Sequence, residues 1–485
     1  MAEKKNFKKF VKSLFYAFSA QGVSTALGIM MTLFVSKALG VADFGYWQLF
    51  IMYTNYVGLT HFGIMDGIYL RLGGSEYKDL NFPVLASQFW IMIIEQAALG
   101  VGVLVFALVF EQNPERRFVW FMVALYMLTL NADYYFGYIF QATNNTAKYS
   151  LSVMLDKLAF TVYIAILLFW KIRNYKIYVG LFVWTKVMAL VYSVIAGKEI
   201  IFTRLESLKK SLREAWYNIK VGIQLLLANM ASLFILGSGR MVVDGRWGIE
   251  VFGKFSFSIS LSNFVLNFIG QISMVMFPAL RRVDRKNLEG LYSSLRDGLG
   301  IALNAVYLIY IPMKILLALW LPQYKESLYY LAIILPVCTF DGKMQILCNT
   351  YLKVLRKEKI LLILNIASVV ICLSFSLLGA YVFGSLYFVI GSMVCAVAFR
   401  SIAAELYLAR LMHASAIKGL AAELALSALF VGLSLLAGDL LAFGIYCAAY
   451  IIYLLFSRAQ ISELLKTVKL MLKGRSEAEQ SISAA

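Results

Sequence analysis

Long apolar runs, interrupted at intervals by short clusters of charge, dominate the chain. A helix needs about 20 apolar residues to cross a bilayer. On that measure the pattern predicts fourteen spans, at 14–36, 46–70, 84–109, 118–140, 150–169, 177–197, 219–239, 254–277, 297–319, 328–350, 360–382, 385–407, 420–437 and 440–457. Polarity does not alternate at every second residue, as the strands of a membrane barrel require, so the chain reads as an all-α polytopic membrane protein. The last two spans are the least distinctive, and they read as an addition to a core of six plus six.

Three stretches outside the spans carry apolar residues three or four apart, which places them on one helical face. They are Phe7, Phe10, Val11, Leu14 and Phe15; Phe202, Leu205, Leu208, Leu212 and Trp216; and Ile461, Leu464, Leu465, Val468 and Leu472. Each suits a helix lying on the inner membrane surface beside anionic head groups. The tail is also open to a partner-binding role, and 476–485 reads as disordered.

The first half repeats in the second. Gly40-Val41-Ala42-Asp43-Phe44-Gly45 lines up with Gly248-Ile249-Glu250-Val251-Phe252-Gly253, an offset of 248 − 40 = 208. The same ungapped register pairs Lys12 with Lys220, Ser24 with Ser232, Val35 with Val243, Asn55 with Asn263 and Ile64 with Ile272, among 11 identities over positions 12–64. A parallel repeat in a membrane protein points to a transporter of two related halves. The domain limits expected are a six-helix bundle at 1–197, an amphipathic linker at 198–218, a second six-helix bundle at 219–412, two further helices at 413–457 and a tail at 458–485.

Composition agrees. The chain has 485 residues, 61% of them hydrophobic and 15% charged, more apolar surface than a water-soluble fold of this length can hide. A net charge of +18 raises the question of nucleic acid. The basic residues instead cluster in alternate loops: Lys4 to Lys12, Lys198 to Arg213, Arg281 to Lys286, Lys353 to Lys359 and Lys466 to Arg475. That is the positive-inside pattern. It predicts cytoplasmic termini and no nucleic-acid partner. The basic start leads into a full span without a small-residue cleavage site, so no cleaved signal is expected. The outer loops, Glu111 to Arg117, Lys171 to Lys176 and Leu321 to Ser327, are too short to hold a domain.

Catalytic motifs do not emerge. There is no phosphate-loop, HExxH or GxSxG pattern. Two histidines, His61 and His413, argue against a His-centred metal site, and the five cysteines fall in apolar runs as small hydrophobes. No catalytic residue, metal or cofactor is expected. What remains is a set of ionisable residues within spans, expensive in lipid and therefore expected to face a cavity. The cationic and amide candidates for contacting substrate are Lys157, Lys186, Arg240, Lys314, Lys343, Arg400, Asn55, Asn263 and Asn267. The carboxylate candidates for coupling to an ion are Asp66, Glu95, Asp133, Asp156 and Asp341. Glu95 and Lys186 are the deepest. Arg71, Arg240, Asp244 and Glu405 stand near helix ends, where snorkelling to water is an equal explanation. Lys157 beside Asp156 reads equally as a mutual neutralisation. A stripe of Ser256, Ser260, Asn263, Asn267 and Gln271 shares one face of span 8; helix–helix hydrogen bonding and a wet groove both explain it. Pro312 and Pro336 permit kinks in spans 9 and 10.

Taken together, the segment Leu39-Gly40-Val41-Ala42-Asp43-Phe44-Gly45-Tyr46-Trp47, its echo at Gly248 to Gly253, and Phe277-Pro278 before a basic loop resemble the Wzx-type polysaccharide flippases. These belong to the multidrug/oligosaccharidyl-lipid/polysaccharide (MOP) exporter superfamily. The resemblance implies two pseudo-symmetric six-helix bundles in a V, as in the MATE transporters, and alternating access in a bacterial cytoplasmic membrane. It implies movement of an undecaprenyl-pyrophosphate-linked oligosaccharide to the outer leaflet, with membrane lipids, a polysaccharide polymerase and a chain-length regulator as further partners. It carries no defined binding residues over to this chain. Cations within the bundle would offset the desolvation of a pyrophosphate; buried carboxylates would exchange protons or sodium with a gradient. The rivals are a lipid II flippase or drug exporter of the same superfamily, a membrane glycosyltransferase or polymerase, and a non-transporting scaffold.

Overall fold

The computed structural model describes residues 22, 27–280, 288–458 and 460. The apolar faces at 7–15 and 461–472, the tail 476–485 and the basic loop of Arg281, Arg282, Arg285 and Lys286 lie outside those residues, as does the side chain of Gln271. Among the described residues every element is helical. Among the described residues nine helical stretches are long and apolar enough to span a membrane, or ten if the pair Pro322–Ile334 and Pro336–Val354, bent by 43°, is one span. Fourteen spans were expected, and two features account for much of the difference. Residues 219–239 and 254–277 belong to one run, Leu208–Leu280, in which two helices meet at a kink at Gly248, and span 2 is interrupted.

The described residues fall into two compact units. One comprises Val23–Gly237 with Trp247–Gly253; the other comprises Ser238–Arg246 and the residues from Lys254 on. The first unit contains α1 (Leu27–Ala38), α2 (Val41–Thr54), α3 (Ile64–Leu72), α4 (Phe82–Val109), α5 (Pro114–Ala142), α6 (Thr146–Phe169), α7 (Tyr175–Ala196) and the short α8 (Lys198–Ile201). The long α9 (Leu208–Leu280) contributes residues to both. Local chemistry sets the helix starts. Asn81, Asn113 and Asn174 each accept a backbone N–H from the first turn of α4, α5 and α7, and Pro83 and Pro114 fill first-turn positions that need no donor.

Span 2 reads in sequence as one helix over 46–70. It is broken instead: α2 stops at Thr54, a 3-10 turn covers Val57–His61, and Phe62 and Gly63 take left-handed backbone angles (φ 47° and 88°) before α3 begins. Polar side chains from α4 and α5 occupy the break. Gln96 donates to the carbonyl of Thr60 (2.9 Å), Asn131 donates to Gln96 Oε1 (2.7 Å), and the Thr60 hydroxyl donates to the carbonyl of Val57 (2.7 Å). A backbone interruption inside hydrocarbon is tolerated where the protein itself supplies such partners.

The second unit adds α10 (Leu288–Asn304), α11 (Tyr307–Trp320), α12 (Lys325–Ile334), α13 (Pro336–Lys343), α14 (Asn349–Val354), α15 (Glu358–Leu377), α16 (Leu386–Leu411), α17 (Ile417–Leu436) and α18 (Asp439–Phe456). Pro336 opens α13 at the bend, and a π turn at Met344–Cys348 follows it. Helices α17 and α18 are fastened to this unit by polar contacts. The hydroxyls of Tyr446 and Tyr450 donate to the carbonyls of Asn304 and Ile301, and Tyr307 Oη lies 2.8 Å from Ser427 Oγ.

The start of α9 carries the linker face. Ser211, Ala215 and Asn218 are buried, while Leu208, Leu212 and Trp216 are exposed. The apolar stripe thus points away from the protein, the orientation an interfacial helix needs.

The two hexapeptides of the repeat touch each other within the first unit. A Cβ on Gly45 would collide with the carbonyl of Ile249, and one on Gly253 with the backbone of Gly45 and Val41. Gly248 has φ 77° and ψ −175°, a conformation essentially confined to glycine. Its partner in the repeat, Gly40, has φ −66°, so the glycines match in sequence but not in backbone shape. Backbone cannot rotate aside as a side chain can. Gly253→Ala is therefore expected to lower stability by about 1–3 kcal/mol, read as a fall in the thermal midpoint of the purified protein. Gly102→Ala, where a Cβ meets open space, should leave that midpoint unchanged or raise it.

Candidate functional site

Within the first unit, α3, α5, α6 and α9 surround a cavity of about 430 Å³. Its lining is polar and aromatic: Tyr69, Tyr134, Tyr138 and Tyr149, the amides of Gln141 and Asn229, and Asp66, with Leu225. Helical spacing explains the densest part, because Tyr134, Tyr138 and Gln141 lie four and three apart on one face of α5. None of these tyrosines was singled out from the sequence. The i, i+4, i+7 recurrence of polar groups in an otherwise apolar segment was the available signal.

Tyr134 links the cavity to a charged cluster. The Lys186 ammonium lies 5.7 Å from the centre of its ring. Lys186 is bound by two carboxylates, Asp156 at 3.0 Å and Asp133 at 3.4 Å. Hydroxyls add further donors: Ser152 and Ser193 donate to Asp133 (3.0 and 2.6 Å), and Thr185 donates to Asp156 (2.9 Å). Three sequence candidates, on α5, α6 and α7, thus form one buried cluster. Lys157, the neighbour of Asp156, is half-buried, with its ammonium 5.9 Å from the Phe182 ring.

The second unit builds a cluster of the same composition from different helices. Lys343 at the end of α13 is held by Glu405 of α16 (2.9 Å) and by Glu423 of α17, with all three side chains at most 3% exposed. Glu423 stands in α17, one of the two helices that read as an addition to the core, and no motif or spacing marks it as a partner. Nearby, Arg400 pairs with Asp341 and donates to Asn365 (3.3 Å).

The remaining candidates are dispersed. Arg240 is buried and donates to Ser256 (3.0 Å), so the first residue of the span-8 stripe serves an internal hydrogen bond. Lys314 pairs with Asp439 (2.5 Å). Asn55, Asn263 and Asn267 are exposed. Glu95 is half-buried, and its Oε2 is buried without a hydrogen-bond partner. The four cations Lys186, Lys314, Lys343 and Arg400 therefore each carry a carboxylate. Their charge is already balanced and is not a free positive field for an anion. Among the described residues no group of three or more His, Cys, Asp or Glu side chains is arranged to hold a metal.

Two smaller features lie at the ends of the first unit. On the side expected to be inner, a second cavity of about 320 Å³ includes Arg71, Lys210, Gln88 and Asn218 in its wall. Arg71 donates to Glu214 (2.9 Å) and Asn218 (2.7 Å) and lies over the Tyr217 ring, which ties α3 to the linker helix. On the side expected to be outer, Glu115 accepts from Tyr175 (2.5 Å) and Lys176 (2.9 Å). Burial works to raise the Glu115 carboxyl, but these two donors outweigh it and hold it below the usual glutamate range.

Removing the lysine from a buried triad should cost more than removing a carboxylate, because it leaves two uncompensated anions. Lys186→Met is expected to destabilise by about 3–5 kcal/mol, and Asp133→Asn by clearly less, both measured as thermal unfolding in detergent. At the outer end the sign follows from a folded carboxyl held below its unfolded value. The Glu115 contribution is complete at neutral pH and is lost as pH falls through the folded-state value. Glu115→Gln should flatten that acid limb of the stability curve.

No family model matches the sequence, and no curated protein matches it. Solved structures do match in fold. A lipid II flippase MurJ in an inward closed conformation superimposes with a TM-score of 0.67 at 13% identity, over 92% of this chain and 100% of that one. An inward-facing multidrug resistance MATE transporter of the MOP superfamily gives 0.58 at 14% identity, over 80% and 94%. A MOP superfamily transporter from Pyrococcus furiosus gives 0.50 at 12% identity, over 83% and 96%. The chain has the polytopic helical fold of the MOP superfamily transporters.

Proposed function

We propose that this protein is a flippase that carries an undecaprenyl-pyrophosphate-linked oligosaccharide across a bacterial cytoplasmic membrane, by alternating access and at the expense of an ion gradient. The observation that carries this reading is the tyrosine-lined cavity of the first unit, set in a fold similar to a lipid II flippase over the full length of that protein. Tyrosine rings present flat apolar faces to sugar rings and hydroxyls to sugar hydroxyls. The amides of Gln141 and Asn229 add donors and acceptors. A cavity of about 430 Å³ has room for a few sugar units rather than a chain. The diphosphate would stay at the membrane surface, where Arg71 and Lys210 of the inner cavity, paired with Glu214 and Glu206 but part-exposed, would exchange a carboxylate for it.

One feature favours a second reading. The charged group in the wall of the tyrosine cavity is an acid, Asp66, which suits a cationic drug better than an anionic carrier. The MATE likeness leaves room for this.

Deleting the gene and analysing lipid-linked sugars separates the possibilities. Complete repeat units trapped on the cytoplasmic leaflet are expected; truncated or unpolymerised units would mean an enzyme, and unchanged sugars with increased drug sensitivity would mean a drug exporter. In the complemented strain, Tyr134→Ala with Tyr138→Ala should reduce export by at least tenfold, since stacking is worth about 1 kcal/mol or more per ring, with the protein still present in the membrane.

A further inference from the structure

The break in span 2 brings together two titratable groups whose placement the rest of the site leaves unexplained. His61 closes the 3-10 turn, and Asp66 stands in the first turn of α3. Both are buried, with 3% of each residue exposed. His61 Nδ1 accepts the backbone N–H of Gly63 at 3.1 Å. A neutral imidazole must therefore carry its proton on Nε2, the nitrogen facing Asp66. Nε2 and Asp66 Oδ2 stand 3.7 Å apart, inside ion-pair range but beyond a hydrogen bond. Asp66 Oδ2 has no hydrogen-bond partner. An ionised Asp66 beside a neutral imidazole would thus be a buried, unneutralised charge, which costs several kcal/mol or more. One added proton removes that cost, either as Asp66 carboxylic acid or as an imidazolium–carboxylate pair.

Among the described residues the surroundings supply no competing cation. From α5 the neighbours are Tyr138, whose ring is 6.5 Å from that of His61, and Tyr134. Asp133, next in sequence, is committed to Lys186. From α6 comes Tyr149; from α4, the uncharged Gln96, with Glu95 one residue away; from α9, Gly222, Leu225 and Asn229. Tyr69 and Arg71 share α3 itself, and Arg71 is committed to Glu214. Asp66 lines the tyrosine cavity, so a proton has a route to it.

We propose that His61 and Asp66 form a proton-binding site at the hinge of the broken span, through which proton uptake is coupled to substrate movement. This rests on the transport reading above and names its coupling ion. An imidazole is a poor ligand for a hard cation such as sodium, and a single carboxylate supplies too few oxygens. The site stands where α2 and α3 meet across a stretch with little helical continuity. A charge change there acts on the angle at which α3, and Tyr69 with it, meets the cavity.

The chain has only two histidines. A His413→Gln background therefore leaves one imidazole to observe, in the full-length protein in lipid nanodiscs with 15N-labelled histidine. Asp66→Asn should lower the proton affinity of His61 at least tenfold, and Asp66→Glu should largely restore it. Equal affinities in wild type and Asp66→Asn would overturn the proposal, as would competition by sodium at fixed pH. In proteoliposomes, an imposed pH gradient should accelerate flipping of the lipid-linked oligosaccharide by the wild type but not by His61→Gln; equal acceleration of both would also overturn it. If the wild type moves no lipid-linked sugar at all, the transport reading fails, while the histidine titration still decides whether the pair binds a proton.

Discussion

Inside hydrocarbon a polar group has no water to fall back on, and that constraint organises this molecule. It explains why each unit clamps a lysine between two carboxylates, and why serine and threonine hydroxyls donate to Asp133 and Asp156. It also explains why the interruption of span 2 is packed with Thr60, Gln96 and Asn131 rather than with apolar side chains. The exceptions stand out for the same reason. Asp66 Oδ2, Glu95 Oε2 and Glu405 Oε1 are buried carboxylate oxygens with no hydrogen bond. Glu405 holds Lys343 through its other oxygen, whereas Asp66 and Glu95 have no cation among the described residues, and an orphan of that kind inside a membrane protein is more readily understood as function than as architecture.

The two lysine triads show how one physical solution arises twice without shared ancestry of the positions. Lys186 lies on α7 and draws its partners from α5 and α6; Lys343 lies on α13 and draws its partners from α16 and α17. The 208-residue register does not superimpose them, since Lys186 would fall on residue 394. Each triad joins three helices that could otherwise slide in a medium offering little hydrophobic drive between them. In the second unit this makes α17 an integral part of the bundle.

Much of the fold could be read directly. Apolar runs and loop charges are local properties, and they led to an all-helical polytopic chain; the repeat is a match of sequence, carried in an ungapped register by two glycine pairs, Phe44 with Phe252, and Asn55 with Asn263 among others. Lys186 was also legible, as a charge too deep to be incidental, and Asp133 and Asp156 as ionisable residues within spans. Their meeting was not, because they are 23 to 53 residues apart in sequence and their faces on three helices are set by packing. The break at Phe62–Gly63 was hidden by hydropathy, which averages over backbone shape. The tyrosine cavity was missed because aromatic residues in an apolar run look like core until the helix opposite is known.

The contact between Gly45 and Gly253 also sets an order of assembly. The first unit includes Trp247–Gly253, yet the residues just before that segment, Ser238–Arg246, belong to the other unit. During synthesis, the turn at Gly45 therefore stays without its cover until some two hundred further residues have left the ribosome. Until then the backbone at Gly45 lies open, although the helices from α3 to α8 already share a core of their own. A chain truncated before Gly253 would carry an open seam in the membrane, and quality control has a place to recognise it.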